Sequence, residues 1–206
     1  MNEFSPPKAP SSLPPDSFLR RIRDFGCLIL FLWFIEITDR LVFGNALQTH
    51  GIQPRSFSHF EGLIFAPFLH AGWGHLLGNS ISLLILGTAI LAWGWRDLII
   101  VSAASALVAG VLVWLIGASG TNHIGASSLV FGYLAFLFAS GFYQRTPLTI
   151  ITSILVVIFY GGTIFGILPS GTEISWEGHL GGALGGFLVA RSRRLKSPSS
   201  SNDASQ

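Results

Sequence analysis

Four side chains in this sequence have the types and spacing to form a nucleophilic acyl-transfer site: Ser127, His179, His75 and Asn79. Ser127 lies in the small-residue tetrapeptide Gly125-Ala126-Ser127-Ser128, at the head of the apolar run Leu129 to Phe142. A serine near a helix start sits beside free backbone N–H groups and the positive end of the dipole, both of which favour a developing anion. It can attack a carbonyl if a base takes its proton. His179 is the candidate base, because a buried neutral imidazole is a competent acceptor and titrates near neutral pH. His75 and Asn79 are four residues apart and share one helix face. Both can donate to one oxygen, and with the Ser127 N–H they form a candidate oxyanion hole.

Each of these residues also has a plainer reading. A serine in an apolar helix more often hydrogen-bonds to a neighbouring helix, and a lone histidine near an interface is more often structural. His50, His59 and His123 are placed in that structural class. Metal binding is disfavoured: His70 and His75 are five residues apart, which splays them around a helix, and no His-Glu-x-x-His pattern occurs.

The elements that must position these groups follow from composition. Half of the 206 residues are apolar and 11% are charged, against about a quarter charged in soluble domains. Mean hydropathy is +0.59. The chain reads as an all-α integral membrane protein built as one helical bundle, with no room for a large second domain. Its one cysteine, Cys27, excludes disulfides and cysteine metal clusters. A formal charge of +2 does not suggest nucleic acid, and no cofactor is expected.

Residues 1–19 hold five of the ten prolines and read as a disordered cytoplasmic tail. The bundle is expected over 20–191, followed by a basic and then disordered tail at 192–206. Six apolar runs approach the about 20 residues needed to cross about 30 Å of hydrocarbon: Phe25 to Thr38, Leu76 to Trp93, Leu98 to Ile116, Gly125 to Tyr143, Leu148 to Leu168 and Trp176 to Ala190. The first reads as a retained signal anchor, since no small-x-small cleavage site follows it. Glu36, Asp39 and Arg40 crowd its end, where one acid is expected to pair with Arg40. Leu41 to Pro67 is too polar and broken to span, and with Phe57, Phe60, Leu63, Ile64 and Phe65 it is expected to lie in the interface.

With the N-terminus cytoplasmic, ten Lys and Arg fall inside and only Arg40 and Arg55 outside, as the positive-inside rule requires. Both termini are then cytoplasmic, in a cell membrane. In this topology His70 and His75, Ser127 and His179 all reach the outer leaflet, although they come from three separate stretches of chain.

His70-Ala-Gly-Trp-Gly-His75-Leu-Leu-Gly-Asn79, Gly125-Ala-Ser127-Ser128 and Gly178-His179-Leu-Gly-Gly182-Ala-Leu-Gly-Gly186 resemble, in order and near their spacing, the three signature segments of the rhomboid intramembrane serine proteases. The resemblance covers about residues 25–190. It implies a six-transmembrane-helix rhomboid-like bundle and a serine and histidine dyad that cuts transmembrane segments of other proteins just inside the bilayer. By position it implies Ser127 as nucleophile, His179 as general base, His75 and Asn79 as oxyanion donors, and a mainly structural role for His70. It also implies that Phe131 packs against His179. Partners would be a transmembrane protein substrate and the lipid bilayer.

One departure stands out: the family most often reads Gly-x-Ser-Gly, and here the last place is Ser128. Ser128, Gly132, Ala135 and Ala139 form one small-residue stripe suited to close packing, and Ser127 is rotated about 100° away from it. On span six Gly178, Gly182, Gly186 and Ala190 recur every four residues, so spans four and six are expected to meet closely. Glu177 is two residues before His179 and points to another face of a helix, and Glu173 lies in the preceding loop, so a dyad is expected. The loop Gly161 to Trp176, with the end of span five or the start of span six, is the expected mobile cap. The alternative function is an inactive rhomboid-like protein that binds transmembrane helices without cutting them.

Overall fold

A computed structural model describes residues 17–169 and 174–194. Residues 1–16 and 195–206 of the expected tails, and Glu173, lie outside the described residues. The elements in order are α1 (Phe18–Leu41), the short α2 (Gly62–Phe65), α3 (Trp73–Leu91), α4 (Trp95–Ile116), α5 (Ser127–Gln144), α6 (Pro147–Tyr160) and α7 (Trp176–Arg194). Among the described residues no strand forms; one isolated antiparallel bridge joins Ile52 to His123.

Six long helices thus coincide with the six apolar runs. Three are long and apolar enough on their own to cross a bilayer: α3, α4, and α6 with its tight 3-10 continuation to Ile167. The other three depart from a simple apolar rod for different reasons. α1 carries Arg20, Arg21, Arg23 and Asp24 in its first two turns, with Ser17 capping Arg20 N–H, so the helix starts ahead of the expected core boundary at residue 20. α5 and α7 are lined with small and glycine residues, because they are packed by protein more than by lipid.

α5 is the central post. It packs on α3, α4, α6 and α7, and Val130, Phe131, Tyr133, Leu134, Phe136 and Leu137 are buried along it. Burying such side chains stabilises a soluble core by about 1.5–3 kcal/mol each, but lipid is as apolar as leucine, so here close packing must supply the preference. Glycine supplies it. A Cβ on Gly182 would run into the backbone carbonyl of Ser128, and one on Gly186 into that of Gly132. α7 has a second bare stripe against α4: a Cβ on Gly181 would lie 2.5 Å from Ala109 Cα, and one on Gly185 2.6 Å from Ala104 O. Gly178 faces Val113 of α4 and not α5, so the expected stripe is shorter on the α5 side than its spacing implied.

α6 is the outlier. Thr149 is its one buried residue, held in a capping box with Thr146, while Ile150, Ile151, Ile154, Leu155, Ile158 and Phe159 are exposed. A patch of that kind is tolerable in lipid and not in water. The α-helix stops at Tyr160 where Gly161 and Gly162 lower helix propensity, and residues Gly161–Ile167 continue as a 3-10 turn. The fifth expected run is therefore two pieces. Between α1 and α3 the chain makes short turns at Leu47–His50, Phe57–His59 and Ala66–Phe68, with Phe57, Phe60, Ile64 and Phe65 exposed.

Candidate active site

The turn into α5 is built for the serine that begins it. Gly125 has φ +120, a conformation that favours glycine, and its N–H donates to Ala66 O at 2.8 Å. The turn leaves Ser127 as the first residue of the helix, with no side chain capping the terminus. His179 lies in the first turn of α7, buried, and its Nε2 is 2.9 Å from Ser127 Oγ.

The other ring nitrogen fixes the tautomer. Nδ1 is 2.9 Å from the carbonyl of Gly166, and a carbonyl can only accept, so Nδ1 carries the proton. Nε2 is left with its lone pair toward the serine hydroxyl. Phe131, one turn along α5 from Ser127, stacks on the imidazole with centroids 4.1 Å apart and planes 14° apart. Both nitrogens are thus occupied, and neither meets a carboxylate. Glu177 is buried nearby but makes no hydrogen bond to His179.

On the opposite side of the serine stands α3. A Cβ on Gly125 would collide with the His75 ring and come 3.6 Å from Asn79 Nδ2, so the bare Cα of Gly125 faces both groups. Asn79 is buried and its Nδ2 has no hydrogen-bond partner among the described residues. A buried donor without an acceptor is costly, about 1–3 kcal/mol, and rare enough in a native fold to need a reason. His70 packs edge-on against His75 with centroids 5.3 Å apart. Burial, with His75 adding to it, pushes the His70 imidazole down to about 4, which keeps it neutral.

The end of α3 that bears these residues is docked onto α1. Glu36, 2% exposed, accepts from Arg40 Nε at 2.7 Å, and the Arg40 guanidinium lies 4.8 Å from the centre of the Trp73 ring. Glu36 is therefore the acid that pairs with Arg40. Asp39 instead accepts from Leu47 N–H at 2.9 Å, closing the turn after α1. Trp33 stacks on Trp73 and donates to Ser80 Oγ at 3.0 Å.

Ser127, His179, His75 and Asn79 are accordingly brought together, with Phe131 on the histidine. The Ser128 backbone meets Gly182 at the α7 seam. Sequence reasoning missed the Gly166 carbonyl, for which no side chain could signal. A cavity of about 30 Å³ beside Ser127, lined by polar Ser128, His123 and Ser175 together with Ile52 and Val113, has room for about one water.

The sequence profile described as Rhomboid domain matches residues 58–194. The chain belongs to the rhomboid family. It is similar to Uncharacterized protein Rv1337 of Mycobacterium tuberculosis, 38% identical over 170 residues that cover 79% of this chain and 70% of that protein. It is also similar to Uncharacterized protein ML1171 of Mycobacterium leprae, 39% identical over 167 residues, 77% of this chain and 66% of the relative. Rhomboid protease GluP of Bacillus subtilis is 28% identical over 168 residues, 79% of this chain and 32% of GluP. The chain therefore spans about a third of that protease. As a rhomboid of apolar helices, it is a membrane protein of a family of intramembrane proteases.

Proposed function

We propose that this rhomboid is an active serine endopeptidase that cleaves a transmembrane segment of another protein near the outer face of a cell membrane. Ser127 is the nucleophile, His179 the general base, and His75 and Asn79 the oxyanion donors. The observation that carries the reading is the 2.9 Å contact between Ser127 Oγ and a His179 Nε2 whose lone pair is free.

The reaction follows from that geometry. His179 Nε2 takes the Ser127 proton as Oγ bonds to the scissile carbonyl carbon. The carbonyl oxygen becomes an anion and accepts from His75, Asn79 Nδ2 and the Ser127 N–H, which supplies Asn79 with the acceptor it lacks. His179 then protonates the leaving amine as the C–N bond breaks. Water, deprotonated by the same nitrogen, attacks the acyl-enzyme; the bond to Ser127 Oγ breaks, His179 returns the proton to that oxygen, and the carboxylic acid leaves. No carboxylate is needed beyond the dyad, because the Gly166 carbonyl already fixes the imidazole tautomer. The segment Gly161–Ile167 that carries this carbonyl belongs to the cap through which a substrate helix enters.

All six long helices cross the bilayer in this reading, with both termini cytoplasmic. The test is labelling by a fluorophosphonate serine probe in detergent. Wild type and Ser128→Ala should be labelled and Ser127→Ala should not. An unlabelled wild type leaves an inactive binder of transmembrane helices, and loss confined to Ser128→Ala transfers the nucleophile to Ser128.

A further inference from the structure

Four residues before each member of the Ser127–His179 pair stands a second hydrogen-bonded pair with the residue types exchanged. His123 precedes Ser127 by four and Ser175 precedes His179 by four. His123 Nδ1 and Ser175 Oγ are 2.6 Å apart, and both bonds join residues 52 apart in sequence. The two bridges therefore connect the same two stretches of chain at adjacent levels.

One arrangement of protons satisfies every contact of the outer bridge at once. With the Thr121 hydroxyl donating to Ala118 O at 2.6 Å, its oxygen accepts from His123 Nε2, 2.7 Å away. That places the imidazole proton on Nε2 and leaves Nδ1 to accept from the Ser175 hydroxyl. Ser175 Oγ in turn accepts from Gly178 N–H at 3.2 Å, capping α7. The Ser175 carbonyl accepts from His179 N–H at 3.1 Å. His123 is also fixed through its backbone, exchanging hydrogen bonds of 2.9 and 3.0 Å with Ile52. Burial pushes its imidazole below the ordinary value against an upward pull from Glu177, in keeping with a neutral ring.

We propose that His123 and Ser175 are positioning residues whose bridge sets the register of α7 against the turn into α5, and so holds His179 on Ser127. The proposal rests on the reading of Ser127 and His179 as nucleophile and base. The need for such a bridge lies in the seam below it. Gly182 and Gly186 meet the α5 backbone through bare Cα atoms, a close contact without directional bonds. A slip of about 1 Å there would cost about 10²-fold in rate. The outer bridge supplies the missing direction.

The test compares fluorophosphonate inactivation of wild type with Ser175→Ala, Ser175→Thr, His123→Leu and His123→Asn, alongside thermal melting. Ser175→Ala and His123→Leu should lower the maximal inactivation rate about 10- to 100-fold, with the half-saturating probe concentration within about twofold. Ser175→Thr, which keeps the hydroxyl, should recover most of the rate, as should His123→Asn, whose amide oxygen stands in for Nδ1. Wild-type rates in the Ala and Leu variants would overturn the proposal, as would failure of both conservative variants to recover while melting is unchanged. If wild type itself is not labelled, the protease reading fails and the bridge is judged separately by 15N–1H spectra of histidine-labelled protein. A Nε2–H tautomer at His123, lost in Ser175→Ala, supports it; a Nδ1–H or charged ring in wild type overturns it.

Discussion

Asn79 carries a donor that has no acceptor among the described residues, in a position shielded from solvent. Folding alone would favour an apolar residue of similar size there, since removing a buried unsatisfied group relieves its desolvation cost. If Asn79 is the oxyanion donor proposed above, stability and function pull in opposite directions there. Asn79→Leu is expected to melt at or above the wild-type temperature while fluorophosphonate reactivity falls about 10²- to 10³-fold, the scale of one lost oxyanion donor. A lower melting temperature with unchanged reactivity would make Asn79 a structural residue instead. At this scale the sequence was highly legible for side chains and blind to backbone. Ser127, His179, His75 and Asn79 could be singled out because their chemistry is written in residue type and their helix spacing is regular. Gly166 contributes only a carbonyl, which every residue has, so nothing marked it. His123 reads from sequence as a lone interfacial histidine, structural or exposed, because its partner, Ser175, is 52 residues away.

The helices carry a different kind of information. A glycine every fourth residue marks one face for close approach, and Gly182 against Ser128 and Gly186 against Gly132 follow that rule. The adjacent stripe of Gly181 and Gly185 against α4 is written in the same paired glycines, one residue before each member of the first stripe. α7 is gripped on two sides, so bulk on either should separate it from its neighbours. Gly182→Leu adds a side chain where a single Cβ already meets the Ser128 carbonyl. Helix α7 must move off α5, and His179 with it. Labelling of Ser127 should fall at least about 100-fold although no reactive group is removed. Near-normal labelling would show that the dyad does not depend on this contact. Helix boundaries were less legible than helix existence. The break at Gly161 was hidden inside an apolar run because hydropathy does not distinguish an α-helix from the 3-10 turn that follows it.

The orientation of the whole molecule turns on α4, which is apolar and long enough to cross a bilayer. Its two flanks, Ala92 before it and Ala118 after it, are both exposed. If α4 spans, these two alanines lie on opposite sides of the membrane whatever the other helices do. The distribution of Lys and Arg then decides which side is which: Arg96 begins α4 and Arg193 pairs with Asp97 at the same end, whereas Arg55 contacts Leu115 O and Gly117 O at the other. By the positive-inside rule the first end is expected to face the cytoplasm. In a Cys27→Ser background, Ala118→Cys should react with a membrane-impermeant maleimide on intact cells, and Ala92→Cys should react only after permeabilisation. The reverse pattern would invert the protein, placing Ser127 and His179 at the cytoplasmic leaflet and changing which end of a substrate helix they meet. Labelling of both sites on intact cells would mean that α4 does not span. The same pair of variants therefore tests both the topology and the leaflet at which Ser127 and His179 lie.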